Sequence, residues 1–154
     1  MFLFKNRNLN NVNLEEPLIN NDEIDDSKIY AEIEQAIKDN PLNIKKFNIQ
    51  PYFLCERAIT ANPWVIGSIH YQSEDLCIKA VKINPRTIDY VRNKTEKVCI
   101  EAVRRNGLVL EFIDKEQTED ICIEALKQNP LSVVFINNFT DKIDEYIKLN
   151  KIDK

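Results

Sequence analysis

The stretch Ser73-Glu74-Asp75-Leu76-Cys77-Ile78-Lys79-Ala80-Val81-Lys82-Ile83-Asn84-Pro85 decides the fold, because the chain repeats it. It returns over residues 95–107 and 118–130, and in weaker form over residues 51–63. A cysteine, an alanine and an asparagine column all keep the same spacing of 22 or 23 residues through these copies. Three columns in phase are the signature of a repeat array.

The first half of each unit is predicted to be an amphipathic helix. Cys77, Ala80 and Val81 stand at i, i+3 and i+4, which places them on one helical face. A hydroxyl residue that can serve as N-cap precedes four of the helices, at Ser73, Thr95, Thr118 and Thr140. An Asn-Pro pair ends most copies, since proline disfavours helical backbone in the residue before it. The pair Asn106-Gly107 differs, and we expect the chain to turn there through a conformation that glycine favours.

The second half of each unit is predicted to be a shorter helix of about two turns, with apolar residues at i and i+3 such as Ile66 and Ile69. A helix this short is not stable alone, and one hairpin cannot bury its own apolar face. Neighbouring units must therefore share a continuous core. The sequence predicts an all-α fold, an α-solenoid of stacked short helical hairpins.

The period also predicts the domain organisation. Residues 1–27 lie outside it and are expected to form a partly ordered N-terminal extension that packs on the first repeat, or else an arm that binds a partner. Residues 28–154 form the repeat domain. It comprises a divergent first repeat over 28–50, in which Glu32 and Glu34 suit a capping unit, then repeats over 51–72, 73–94, 95–117 and 118–139, and a closing helix over 140–149.

The strings Thr95-Glu96-Lys97-Val98-Cys99-Ile100-Glu101-Ala102 and Thr118-Glu119-Asp120-Ile121-Cys122-Ile123-Glu124-Ala125 carry a family resemblance. The chain resembles a family of short α-helical repeats of unknown function, found in giant DNA viruses of amoebae and in some bacteria. The likeness covers about residues 51–139 well and 28–50 poorly. It implies a helical fold and a viral origin, and it implies no catalytic residue.

Few residues suggest site chemistry. The four cysteines lack the close spacing of a zinc site, so we expect them to be buried, reduced thiols, in keeping with a reducing compartment. His70 aligns with polar residues and is predicted to be an exposed loop residue, with a role in a site as the alternative. Trp64 aligns mainly with leucines, which favours packing over ligand stacking. No catalytic, metal-binding or cofactor-binding residue is predicted, and the protein is not expected to be an enzyme.

One column of charges could bind an anionic partner. Its members, together with one neighbour, are Lys38, Lys82, Arg104, Arg105 and Lys127. A basic stripe of this kind could contact an acidic protein or a nucleic-acid backbone. The alternative is a solvated helix face balanced by nearby acids, and the formal net charge of −4 favours that alternative.

The sequence therefore predicts a non-catalytic scaffold for protein–protein interaction, with an unidentified protein as partner. A structural or packaging component that binds nucleic acid or another polyanion through the basic stripe is the alternative. No cofactor is expected, and the lack of a long apolar run argues against a membrane partner. We expect an intracellular, reducing location, namely the host cytoplasm or the virion if the protein is viral.

Overall fold

A computed structural model describes residues 26–153 of the chain. Six α-helices alternate with five 3₁₀ helices in this part, and none of its residues lies in a strand. The α-helices are α1 (Asp26–Asp39), α2 (Tyr52–Ala61), α3 (Glu74–Ile83), α4 (Glu96–Arg105), α5 (Glu119–Gln128) and α6 (Asp141–Leu149). The 3₁₀ helices are η1 (Pro41–Lys46), η2 (Pro63–Ser68), η3 (Pro85–Tyr90), η4 (Gly107–Phe112) and η5 (Pro130–Phe135). We call each α-helix and the 3₁₀ helix that follows it a unit, numbered 1 to 5.

The units stack in sequence, and this confirms the predicted all-α repeat fold. Each α-helix lies against the α-helices before and after it, and each 3₁₀ helix against its neighbouring 3₁₀ helices. The chain therefore has an α side and a 3₁₀ side. All contacts between elements join the same or adjacent units in the described part, which is the quasi-one-dimensional packing of a repeat protein.

One continuous core runs between the two sides. Each of units 2 to 5 contributes a buried cysteine and a buried alanine from its α-helix and a buried aliphatic residue from its 3₁₀ helix. In unit 3 these residues are Cys77, Ala80 and Ile88, all 2% exposed or less. The small cysteine and alanine side chains let adjacent α-helices approach closely, so no unit buries its apolar face alone.

The second half of each unit is a 3₁₀ helix of six residues, whereas the sequence predicted only a short helix. An asparagine precedes each of these 3₁₀ helices, and its side-chain oxygen accepts a hydrogen bond from the backbone N–H two residues later. In unit 3, Asn84 Oδ1 accepts from Arg86 N at 3.1 Å. Proline at the first position is already held near helical φ and has no N–H to satisfy. A 3₁₀ helix brings positions i and i+3 onto one face, so the same apolar pattern fits it.

The prediction for Asn106-Gly107 was wrong. Gly107 begins η4 as proline begins the other 3₁₀ helices, and its φ is not positive. A Cβ built on Gly107 would lie 2.4 Å from the backbone oxygen of Ala125 in α5. Glycine is needed here because the backbones of units 4 and 5 approach too closely for a side chain.

The N-cap prediction holds at three of the four hydroxyl residues. Ser73, Thr118 and Thr140 each accept a hydrogen bond from the backbone N–H three residues on. Thr95 makes no such bond, and its Oγ1 instead donates to Glu74 Oε1 at 2.6 Å. The hydroxyl of Thr118 donates to Glu96 in the same way, at 2.9 Å, so these threonines also tie each α-helix to the one before it.

The two ends of the repeat domain are built differently. Helix α1 starts at Asp26, so the last two residues of the predicted extension over residues 1–27 belong to this helix, and residues 1–25 lie outside the described residues. At the other end, α6 lies against α5, but none of its Cα atoms comes within 8 Å of η5. The side chains of Leu131 and Val134 in η5 therefore remain 68% and 70% exposed.

Candidate interaction surfaces

The predicted basic stripe lies on the α side. Its five residues all stand in the last turn of an α-helix and are exposed: Lys38, Lys82, Arg104, Arg105 and Lys127. A cation in the last turn is favourable because the carbonyl end of a helix carries partial negative charge. Each cation therefore has a local structural reason to be there, independent of any partner.

Four of these five cations form ion pairs. The pairs are Lys38 with Glu34 at 3.3 Å, Arg104 with Glu124 at 2.6 Å, Arg105 with Glu101 at 2.8 Å, and Lys127 with Glu124 at 2.7 Å. Hydrogen bonds from Lys127 and Arg104 lower the pKa of the Glu124 carboxyl group, which keeps its charge between them. Within the described residues only Lys82 of the stripe has no ion pair.

Ion pairs also cross from unit to unit on the α side. They are Arg57 with Glu34, Lys79 with Glu56, Lys97 with Glu74, and Lys142 with Glu119 and Asp120. A shallow groove beside α4, α5 and α6 contains both charges, since Arg104 and Lys127 line it together with Glu124 and Asp120. The α side thus presents alternating charges that are largely balanced within the protein.

The 3₁₀ side has a different character, because two rows of mostly apolar or aromatic residues run along it. The second residue of each 3₁₀ helix forms one row, and the sixth residue forms another. The rows are Leu42, Trp64, Arg86, Leu108 and Leu131, and Lys46, Ser68, Tyr90, Phe112 and Phe135. At two places the second residue of one 3₁₀ helix contacts the sixth residue of the next. The rings of Trp64 and Tyr90 meet edge to face at 5.5 Å, and Arg86 lies over the ring of Phe112 at 5.8 Å.

Trp64 packs against Tyr90, as predicted, but part of its side chain remains exposed to solvent. The indole is 39% exposed and Tyr90 is 49% exposed. Gly67 makes room for this pair, because a Cβ there would lie 3.0 Å from Cδ1 of Tyr90. We call Trp64, Gly67 and Tyr90 the aromatic corner.

The loops between the units carry a glutamine clamp that our sequence analysis missed. Gln72 Nε2 donates to Ile66 O at 2.8 Å and to Tyr90 O at 3.1 Å, and its Oε1 accepts from Arg92 N at 2.9 Å. Gln50 joins units 1 and 2 in the same way, and Gln117 bonds Phe135 O and Asn137 N in unit 5. The three glutamines keep the repeat spacing, so the column was visible in the sequence.

A second set of loop contacts involves the column of His70. That residue is exposed, as predicted, and its carbonyl oxygen accepts a hydrogen bond from Nη1 of Arg92 at 2.9 Å. The other terminal nitrogen of Arg92 donates to Ile69 O. Asn137 reaches back to Asp114 O at 3.1 Å in the corresponding way. These two side chains join the loops after units 3 and 5 to the loop one unit earlier.

The four cysteines are free and buried. The thiols of Cys55, Cys77 and Cys99 each donate to the carbonyl oxygen five residues earlier, at 3.5, 4.0 and 3.5 Å. Burial raises the pKa of Cys77 to about 11, of Cys99 to about 12 and of Cys122 to about 11. They are structural thiols of low reactivity, because the thiolate is the nucleophile.

The described residues contain no group of three or more His, Cys, Asp or Glu side chains that could hold a metal ion. None of the helices in this part of the chain has the length and apolar character needed to cross a membrane.

Comparison with known proteins identifies one match. Residues 95–139 match the family described as "Domain of unknown function (DUF4116)". The matched segment runs from the N-cap of α4 to the loop after η5, which is units 4 and 5. No curated protein and no solved structure matches the chain.

Proposed function

We propose that the protein is a non-catalytic scaffold for protein–protein interaction that binds its partner on the 3₁₀ side. The observation that carries this proposal is the double row of mostly apolar and aromatic side chains along η1 to η5, in which Leu42, Trp64, Tyr90 and Leu131 are exposed. Single exposed apolar residues are normal, but residues aligned in a row are typical of an interaction surface. Tryptophan and tyrosine are also enriched at protein interfaces.

The resemblance to repeats from giant DNA viruses supports a viral origin, and the match of residues 95–139 to an uncharacterised family leaves the role of that family open. Four reduced cysteines support a reducing compartment, the host cytoplasm or the virion. The extended surface of a repeat array suits the binding of a partner by many small contacts.

Affinity capture from the cells that naturally contain the protein tests this proposal. We expect partners held by the wild type to be lost with Trp64→Asp and with Leu131→Asp, because each places a charge in the exposed row. Lys82→Glu is the matched control on the α side, since Lys82 is exposed and forms no ion pair with residues 26–153. Partners that remain with both 3₁₀-side variants, or that are lost only with the control, would contradict the proposal.

The alternative is a structural component that binds a polyanion through Lys38, Lys82, Arg104, Arg105 and Lys127. Two observations favour it, namely the alignment of these exposed cations and the lack of an ion pair between Lys82 and the part of the chain that the structure describes. Changing Lys82, Arg104 and Lys127 to Glu separates the two functions. A phosphate-binding stripe predicts wild-type binding that weakens steeply with salt and is abolished in the triple variant. The ion pairs to Glu34, Glu101 and Glu124 lead us to expect no such binding by the wild type.

A further inference from the structure

Charge divides the 3₁₀ side into two halves. We count the 3₁₀ helices together with the loops that follow them. Units 1 to 3 contribute five cations and one acid, namely Lys45, Lys46, Arg86, Arg92 and Lys94 with Asp89. Units 4 and 5 contribute one cation and three acids, namely Lys115 with Glu111, Asp114 and Glu116. The first half is therefore basic although the whole chain has a formal net charge of −4.

The basic half also contains the aromatic corner. Trp64 and Tyr90 meet edge to face at an interplanar angle of 89°, and both rings remain partly exposed. The hydrogen bond from Gln72 to Tyr90 O fixes the backbone of this residue relative to unit 2. Gly67 leaves the space beside the tyrosine ring free of a side chain. The corner is thus a preorganised apolar contact for a partner side chain.

Positive charge is fixed close to this corner. The guanidinium group of Arg92 donates hydrogen bonds to Ile69 O and His70 O, which lie two and three residues after Gly67. A guanidinium has five N–H donors, so further donors remain for an incoming carboxylate. Arg86 is held over the ring of Phe112, in the row next to Trp64. Two arginines that are held by contacts of their own therefore lie four residues before and two residues after Tyr90.

We propose that the 3₁₀ side of units 1 to 3 binds an acidic peptide segment of a partner protein, with an apolar side chain of that segment against the aromatic corner. This inference rests on the proposed scaffold function and names the chemistry of the partner. Carboxylates complement Lys45, Lys46, Arg86 and Arg92, and arginine binds carboxylates through paired hydrogen bonds. A nucleic acid is less suited, because Asp89 lies between the cations and five cations neutralise few phosphates.

A synthetic peptide in which glutamates and aspartates flank one Leu-Phe pair is the probe. Trp64 is the only tryptophan of the chain, so its fluorescence reports binding to the full-length protein. We expect saturable binding and a shift of the Trp64 emission. The same peptide with Gln and Asn in place of the acids should bind about tenfold more weakly, because the charge complementarity is removed.

Two variants test the residues. Lys46→Glu combined with Arg86→Glu should weaken binding about tenfold, and Tyr90→Ala should do the same by removing an aromatic anchor. Lys82→Glu combined with Lys127→Glu changes the net charge equally on the α side and should leave the affinity unchanged. Circular dichroism verifies that each variant is folded.

Several results would overturn the inference. Equal binding of the neutral peptide would exclude charge recognition, and tighter binding of a single-stranded thymidine oligonucleotide would assign the surface to nucleic acid. Binding that appears only after Glu15 and Glu16 are changed to Gln would assign it to the N-terminal segment of the same chain. If the peptide fails to bind while captured partners still depend on Trp64, the inference fails and the scaffold function stands.

Discussion

The junction between units 2 and 3 and the junction between units 3 and 4 use the same positions but hold them together differently. At the first junction Gln72 bonds both 3₁₀ helices, and Arg92 reaches back to the preceding loop. At the second junction Lys94 occupies the glutamine position and Asp114 the arginine position. Lysine has no acceptor and an ionised aspartate has no side-chain donor, so neither can replace the clamp.

The α side does not share this difference. Thr95 and Lys97 of unit 4 both contact Glu74 of unit 3, at 2.6 and 3.3 Å. The junction between units 3 and 4 is thus joined on the α side and lacks both loop contacts on the 3₁₀ side. Repeat proteins derive their stability from nearest-neighbour interfaces, so this junction should open more easily than the junction between units 2 and 3. The segment that matches the family of unknown function begins directly after it, at Thr95.

The largest effect is expected from Gly107→Ala, which should damage the well-joined junction between units 4 and 5. The new Cβ would lie 2.4 Å from Ala125 O, and neither backbone can move without separating the units. We expect a loss of about 3 kcal/mol in the free energy of unfolding, measured in urea. Gly67→Ala is the control, since its Cβ would meet only the movable ring of Tyr90. Similar losses for both glycines would refute the close-approach explanation.

This pair of glycines also shows how far the sequence allows prediction. The 22-residue period and the apolar spacing were sufficient for the α-helices, the stacking and the buried cysteines, because every copy of the unit carries the pattern that predicts them. The role of Gly107 depends on a carbonyl oxygen of another unit, so no local pattern contains it. The choice of 3₁₀ over α geometry could not be predicted either, since positions i and i+3 share a face in both.

The candidate surfaces follow the same rule. The pairs Lys38 with Glu34 and Arg105 with Glu101 are i, i+4 pairs on one helix, and they could have been predicted from spacing alone. The pair of Arg104 with Glu124 joins two units and required the structure. The aromatic corner also required the structure. The alignment of Trp64 with leucines indicated that the side chain packs, but it did not show which edge of the indole remains exposed to solvent.

Gln72→Lys should convert the junction between units 2 and 3 into a copy of the one between units 3 and 4. The variant removes the amide group that donates to Tyr90 O and Ile66 O and accepts from Arg92 N, and lysine has no acceptor to replace its oxygen. We expect it to cost about 1–2 kcal/mol of unfolding free energy, because water replaces part of these bonds. Urea unfolding measures this loss, and Lys82→Gln on the α side is the control. An unchanged midpoint would show that the clamp does not stabilise the array.

Lys94→Gln is the converse change and should improve the weaker junction. A glutamine there could donate to Phe112 O and accept from Asp114 N, which are the groups that match Tyr90 O and Arg92 N. We expect a gain of about 0.5–1.5 kcal/mol. Hydrogen exchange of the Asp114 amide is the direct measurement, since its protection should rise. Protection that stays at the wild-type level would mean that glutamine does not dock here.

The smallest expected effect is a difference in thiol reactivity between Cys77 and Cys99, the buried cysteines beside the two junctions. Each is measured in a variant whose other three cysteines are alanine. Both are at most 2% exposed, so a bulky reagent should reach them only after local opening. If the free energy of local opening is about 1 kcal/mol lower at the junction between units 3 and 4 than at the junction between units 2 and 3, Cys99 should react about fivefold faster than Cys77 at pH 8.

If the reagent instead reached both thiols in the folded protein without local opening, Cys77 should react faster than Cys99. Burial raises the pKa of Cys99 to about 12 and that of Cys77 to about 11, so the folded protein should hold less thiolate at Cys99. Both values lie above the ordinary value of 9.0, so the neutral thiols stabilise the fold below about pH 9, and this contribution is lost as the pH rises towards 11 and 12. Faster labelling of Cys77 at pH 8 would therefore contradict the proposed weakness of the second junction. Faster labelling of Cys99 that Lys94→Gln abolishes would locate that weakness at the missing glutamine clamp.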